Sequence, residues 1–417
     1  MIRIVGAKDF VRPVFASDGA EISRAVRGII DDVKARGDDA LRDYTKRFDG
    51  VELSGLEVAR EEIDGALSEC GEEYSAMLRR SAENIRLFHE KQLRTGFVFT
   101  GEGGAVLGQR VIPLQRVGIY VPGGLAAYPS TVLMNAIPAV VAGCGEVVMV
   151  TPPPVRPQVL AAACVAGVHR VFTVGGAQAV AGLAYRTETL PKVDKITGPG
   201  NVYVAEAKRQ VFGEVAIDMV AGPSEILIIA DGDNSPAFLA ADMLAQAEHD
   251  VFASSILITD SQALAENVRA EIERQISALS RGDIARKSVD NMGRIVVVGE
   301  LEEAVSIANN YAPEHLELCV GEPFAWLGKI RNAGSVFLGK YSPEAVGDYC
   351  AGPNHTLPTM GTARFSSPLG VEDFIKTSQF MYFSREGLGR ISGDVEMFAQ
   401  SEGLTAHANS VHVRRDA

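Results

Sequence analysis

The feature that most constrains this chain is a rhythm that begins near residue 117 and then repeats. Short apolar runs rich in Val and Ile alternate with Ala-rich stretches of helical spacing. Val117-Gly118-Ile119-Tyr120-Val121, Glu146-Val147-Val148-Met149-Val150 and Arg170-Val171-Phe172-Thr173-Val174 open the series, and 128–142 and 158–166 carry helical patterns between them. A strand that is apolar on both faces must be covered on both faces. That is the condition of a parallel sheet built from βαβ units. The rhythm pauses at Thr197-Gly198-Pro199-Gly200-Asn201. It resumes with strands expected at 225–231, 254–259, 294–298 and 334–338, and a long helix from Ser261 to about Leu279. Two separate βαβ runs predict an α/β protein with two doubly wound sheets.

The flanks read differently. Residues 1–14 have the look of a short extended arm. Helical spacing runs from Glu21 to Phe48 with a break near Gly37, and a second helical region covers 59–93, its Glu and Arg residues forming a solvated face. The stretch 340–369 is polar and irregular, and long irregular connections inside compact proteins tend to be functional. From about Glu372 the pattern is mostly helical, with a short strand or tail expected near Val411-His412-Val413.

Composition narrows the function. A length of 417 residues suggests two or three domains. The formal charge of −13, with no Lys/Arg-rich tract, argues against a general nucleic-acid binder, which needs a basic face. The 5 cysteines form no C-x-x-C pair, as expected in a reducing compartment. The first residues lack an apolar signal core, and no apolar run reaches the roughly 18 residues of a membrane span. A cytoplasmic protein without membrane association is expected.

The standard dinucleotide fingerprint G-x-G-x-x-G is missing. Gly101-Glu102-Gly103, Gly143-Cys144-Gly145 and Gly198-Pro199-Gly200 each start correctly, but Val106, Val148 and Tyr203 stand where the last glycine belongs. Other residues carry chemistry. Gln246 and His249 lie three apart in a helical pattern, so both can face one cation. With Asp348 and His407 they make a set of two nitrogens and two oxygens that suits Zn²⁺, though spacing alone leaves them equally well four unrelated polar residues. Glu314 and His315 are adjacent and could divide acid–base work. Ser224 follows the Gly222-Pro223 turn, outside any G-x-S-x-G elbow. His355 sits in Gly352-Pro353-Asn354-His355.

Taken together and in order, several motifs resemble those of the histidinol dehydrogenase family. They are Tyr120-Val121-Pro122-Gly123-Gly124, Gly175-Gly176-Ala177-Gln178-Ala179, Thr197 to Asn201, Ile217 to Glu225, Ala245 to His249, Ala312-Pro313-Glu314-His315 and Gly352 to Thr359. The resemblance spans nearly the whole chain. It implies a zinc- and NAD-dependent enzyme that oxidises L-histidinol through the aldehyde to L-histidine, the last steps of histidine biosynthesis. Carried over position by position, it implies one zinc per subunit on Gln246, His249, Asp348 and His407, and a catalytic pair in Glu314 and His315. It implies substrate contacts from Ser224, His355 and Glu402, alongside the catalytic pair and the zinc ligands, and NAD contacts from Tyr120, Gln178 and Asn201. It further implies two incomplete Rossmann-like domains, one of 15–119 with 225–370 carrying zinc and the catalytic residues, the other of 120–224 contacting NAD. They are joined by the arm 1–14 and a helical segment 371–417, in a homodimer with intertwined termini whose C-terminal segment completes the partner's site. Two other readings stand beside this one: a paralogue acting on a different small alcohol, and a non-catalytic binding protein on the same scaffold. His355 and Glu402 argue against the first, and the intact Glu314-His315 pair against the second.

Overall fold

A computed structural model describes residues 1–13, 19–123 and 128–415. Val14 of the expected arm and Gly124 of the Tyr120–Gly124 motif lie outside the described residues. The chain forms two compact units, Met1–Gln92 with Gln115–Phe374, and Leu93–Leu114 with Ile375–Ala417.

The first unit holds two sheets, both wholly parallel. One has five strands in the spatial order Arg170–Phe172, Glu146–Val150, Arg116–Tyr120, Lys195–Thr197, Ala216–Ile217. Numbered along the chain, that order is third, second, first, fourth, fifth, the Rossmann arrangement without its last strand. The other sheet repeats it with Ser335–Leu338, His315–Cys319, Glu225–Ala230, Ser254–Thr259 and Arg294–Val297, and adds Arg3–Gly6 beyond Arg294–Val297. The α/β expectation therefore holds. Every residue of Glu225–Ala230 and Ser254–Thr259 is buried, as strands covered on both faces must be. Pro129, Pro157 and Pro236 open the helices Pro129–Ala142, Pro157–Ala166 and Pro236–Ala247, where the missing N–H is no loss. No helix among the described residues is long and apolar enough to cross a membrane.

Three local expectations are corrected. The arm is partly a strand: Arg3–Gly6 pairs with Arg294–Val297, and Ile2 is buried in the core. Four residues are too few to show a period. The helical region 59–93 is two helices, Arg60–Cys70 and Glu72–Glu90, broken at Gly71 with φ +84°. The C-terminal stretch begins with the strand Ile375–Tyr382, and Val411–Val413 lies within the helix Thr405–Arg415. That helix carries His412, Arg414 and Arg415 in its last turn, which suits its negative carboxyl end.

The second unit is an antiparallel sheet, Phe97–Thr100, Val106–Pro113 and Ile375–Tyr382, with the helices Arg385–Ser401 and Thr405–Arg415 packed together.

Candidate active site

The two sheets of the first unit meet a common cavity of about 310 Å³ from opposite ends. The five-stranded sheet offers its carboxyl edge: Gly198, Pro199 and Gly200 follow Lys195–Thr197, and Asp218 follows Ala216–Ile217. This is the usual ligand side of such a sheet. The six-stranded sheet offers its amino edge, with Ser224 just before Glu225–Ala230 and Glu314 just before His315–Cys319. At its own carboxyl edge the loops bond to one another. Gly321 N donates to Asp231 Oδ2 at 2.8 Å, and Asn234 Nδ2 donates to the Cys319 carbonyl at 2.6 Å.

Glu314 and His315 are both buried. Ala312, left-handed at φ +51°, turns the chain out of the helix Leu301–Tyr311 and delivers the pair to the strand start. One residue holds them both. Glu225 N donates to Glu314 Oε2 at 2.9 Å, and the Glu225 carbonyl accepts from His315 Nδ1 at 3.1 Å. A carbonyl can only accept, so Nδ1 carries the ring proton and Nε2 carries the lone pair. His315 Nε2 is buried and has no hydrogen-bond partner. Burial pulls the imidazole down to about 3, with the Glu225 carbonyl opposing, so the ring is neutral near pH 7. Glu314 is pushed well above the ordinary carboxyl range by burial and by the carboxylates of Glu225 and Asp348, against the Glu225 N–H and the Ser224 hydroxyl.

Beside the pair lies a cluster of ligand-type atoms. One atom each from His249, Glu344 and Asp348 lies within 4.8 Å of the others. Glu344 Oε1 is 3.7 Å from His315 Nδ1, and Asp348 Oδ1 is 3.9 Å from His315 Nε2. Burial raises the Asp348 carboxyl to about 7 and drives Glu344 well above the carboxyl range, the latter also through Asp348, Glu314, Glu317 and Asp242. Crowding carboxylates this closely without a counter-charge is costly, and the three ligand-type atoms lie close enough together to be able to hold one cation. The buried Gln246 amide, with its nitrogen on Glu344, donates to both carboxylate oxygens at 3.2 Å. His249 stands just past the end of the helix Pro236–Ala247. Its N donates to the Gln246 carbonyl at 3.2 Å, so the expected three-residue relation survives in a terminal turn. His355 donates from Nδ1 to the Asp348 carbonyl at 3.1 Å, and burial lowers its ring to about 4.

Thus Ser224, Gln246, His249, Glu314, His315, Asp348 and His355 line one cavity. Glu402 and His407 belong to the second unit, where both are exposed, Glu402 capping Arg385–Ser401 and His407 in the first turn of Thr405–Arg415. The three residues expected at a dinucleotide are held by local bonds. The buried Tyr120 hydroxyl accepts from Gly176 N at 2.9 Å, and burial pushes the phenol up to about 12. Asn201 Oδ1 caps the helix Val202–Val211, accepting from Tyr203 N and Val204 N. Gln178 is buried with Oε1 lacking any partner, an acceptor able to take a donor from a ligand. Gly198, at φ +106°, has space for no side chain: a Cβ there would sit 2.1 Å from the Tyr120 carbonyl oxygen.

Two residues of the site were not singled out in the sequence. Glu344 is four positions before Asp348 on the helix Glu344–Tyr349, and that spacing on one face is the signal that could have exposed it. Glu225 acts mostly through its peptide group, which has no sequence signal.

The family model described as histidinol dehydrogenase matches residues 14–415. A histidinol dehydrogenase of Geobacter metallireducens is 57% identical over 402 residues, covering 95% of this chain and 92% of the relative. One from Aquifex aeolicus is 54% identical over 398 residues, covering 95% and 93%. The crystal structure of histidinol dehydrogenase from Elizabethkingia anophelis superposes with a TM-score of 0.93 at 37% identity, covering 99% of this chain and 98% of that one. By sequence and fold, this chain belongs to the histidinol dehydrogenase family.

Proposed function

We propose that the chain oxidises L-histidinol through L-histidinal to L-histidine, ending histidine biosynthesis in the cytoplasm. The reading is carried by one observation, the buried Glu314–His315 pair whose unpartnered Nε2 adjoins the His249–Glu344–Asp348 cluster. The donor set suits Zn²⁺, with Gln246, His249 and Asp348 from one subunit and His407 from the C-terminal segment of a second. Glu402 from that second segment joins Ser224 and His355 at the substrate, and Tyr120, Gln178 and Asn201 serve the NAD side. When bound, zinc would fix the substrate's amine and imidazole nitrogens, and two NAD⁺ in turn would accept hydride.

The chain's own groups move the protons. His315 Nε2, neutral at pH 7, takes the proton of the carbinol hydroxyl. Glu314, whose carboxyl burial holds well above the ordinary range, in its ionised form polarises the water that adds to the aldehyde. His315, having released its first proton, takes another from the hydrate. One base can serve both oxidations because Glu225 holds the same tautomer throughout.

The test is stoichiometric. Zinc-loaded protein is incubated with histidinol and NAD⁺, and NADH is measured per histidine formed. A ratio near two is expected. Turnover of another alcohol but not of histidinol refutes the substrate, and no turnover of any alcohol refutes the enzymatic reading.

A further inference from the structure

We infer that Arg12 is a positioning residue for the Glu314–His315 pair, acting through Glu225. The inference rests on the reading of that pair as the reacting groups. Arg12 lies at the N-terminal end of the chain, far in sequence from every residue of the cavity. Its Nη2 donates to Glu225 Oε1, its Nη1 donates to the Tyr311 carbonyl at 2.8 Å, and its guanidinium carbon stands 4.2 Å from the centre of the Tyr311 ring. The other Glu225 oxygen accepts from Met360 N at 3.2 Å. The Glu225 carboxylate is therefore clamped on one side by the N-terminal segment and on the other by the 340–369 region.

The peptide groups of the same residue hold the pair. Glu225 N reaches Glu314 Oε2 and the Glu225 carbonyl reaches His315 Nδ1. Among the described residues, Arg12 is the cation paired with this buried carboxylate, whose side chain is 4% exposed. A buried carboxylate that loses its partner must take a proton or turn toward water. Turning toward water frees Met360 N, protonation weakens the oxygen that accepts from it, and either lets the peptide at 225 shift. Tyr311 cannot replace the lost charge: its hydroxyl meets Ser254 Oγ at 2.9 Å and also hydrogen-bonds the Glu225 carboxylate, but a phenol carries no positive charge. Arg12 bonds to Glu225 and Tyr311 and not to Glu314 or His315, so its influence passes through one residue.

A displacement of about 1 Å in a reacting group can cost on the order of 100-fold in rate. Arg12→Ala is expected to lower kcat by about 10- to 100-fold, with KM for histidinol within about twofold because His249, Asp348 and His355 lie on other elements and keep their places. The side chain of Arg12 is 29% exposed, so a small cation can enter the space it leaves. Millimolar methylguanidinium is expected to restore most of the lost kcat, and methylammonium little of it, because one planar fork must serve both Glu225 and the Tyr311 carbonyl. Arg12→Lys is expected to fall between Arg12→Ala and wild type. Zinc content is expected to stay near wild type, and Tm to fall in Arg12→Ala, because a buried carboxylate loses its partner. An unchanged kcat in Arg12→Ala overturns the inference. So does a loss of kcat that follows zinc content or is not rescued by methylguanidinium. If the wild-type protein does not oxidise histidinol, the functional reading fails, and a crystal structure of Arg12→Ala then decides this inference: the 2.9 Å and 3.1 Å contacts from residue 225 are broken if it is right and intact if it is wrong.

Discussion

Replacing His315 with Asn isolates the base from the scaffold. The Asn amide nitrogen can keep the donor to the Glu225 carbonyl, now made by Nδ1 at 3.1 Å. The variant has no atom equivalent to the unpartnered Nε2. Losing a general base costs about 10²- to 10⁴-fold in rate, or about 2.7–5.4 kcal/mol in the barrier. Asp348 Oδ1, 3.9 Å from Nε2, could accept the proton through a water, which favours the lower half of that range. Stability should fall by about 1–2 kcal/mol, because a small apolar volume is removed beside Phe337. Zinc content should not change, since His315 is outside the His249–Glu344–Asp348 set. The assay is NADH release in a single turnover, started separately from histidinol and from histidinal. Both half-reactions should slow together, because one base is used twice. Turnover within fivefold of wild type refutes the assignment of Nε2 as the base. A parallel loss of zinc would instead make His315 a ligand.

Three further outcomes follow from the same geometry. Glu344→Gln removes an anionic oxygen from the cluster and should weaken zinc at least about 10-fold in chelator competition; unchanged affinity would place Glu344 outside the metal's surroundings. Lys208 and Asp218 form an ion pair whose side chains are 2% and 1% exposed, and together they hold both backbone polar groups of Gly198. Lys208→Met should cost about 3–5 kcal/mol in urea unfolding, with part regained in Lys208→Met/Asp218→Asn; a loss under 1 kcal/mol in the single variant would contradict the burial argument. His89 is buried, donates from Nδ1 to the Ile85 carbonyl at 2.8 Å and meets Asn354 Nδ2 at Nε2, and burial lowers its pKa from 6.5. The folded state then binds fewer protons than the unfolded one, so this contribution is present above about pH 6.5 and is lost as pH falls below it. Unfolding free energy measured from pH 7.5 to 5.5 should decline more steeply in wild type than in His89→Gln, by at most about 1.4 kcal/mol per pH unit; equal slopes would rule His89 out as the source.

The sequence alone determined the strand–helix rhythm, and with it the α/β class. Parallel strands buried on both faces are written as unbroken apolar runs, and Glu225–Ala230 and Ser254–Thr259 needed no tertiary information to be read. Two short strands were not legible. Lys195–Thr197 and Ala216–Ile217 are 3 and 2 residues long, below any period, and they exist because a neighbouring edge supplies their hydrogen bonds. The chemistry of the site was legible as residue types: Glu314, His315, Gln246, His249, Asp348 and His355 were named from motif and context. Their assembly was not. Only the tertiary structure decided that one sheet presents its carboxyl edge and the other its amino edge to a single cavity. It also decided that Glu344 joins the cluster, and that the peptide of residue 225 sets the tautomer of His315. Side-chain patterns record which face of an element is buried, whereas a backbone N–H or carbonyl is the same in every residue. What such a group holds is settled by where the fold brings it.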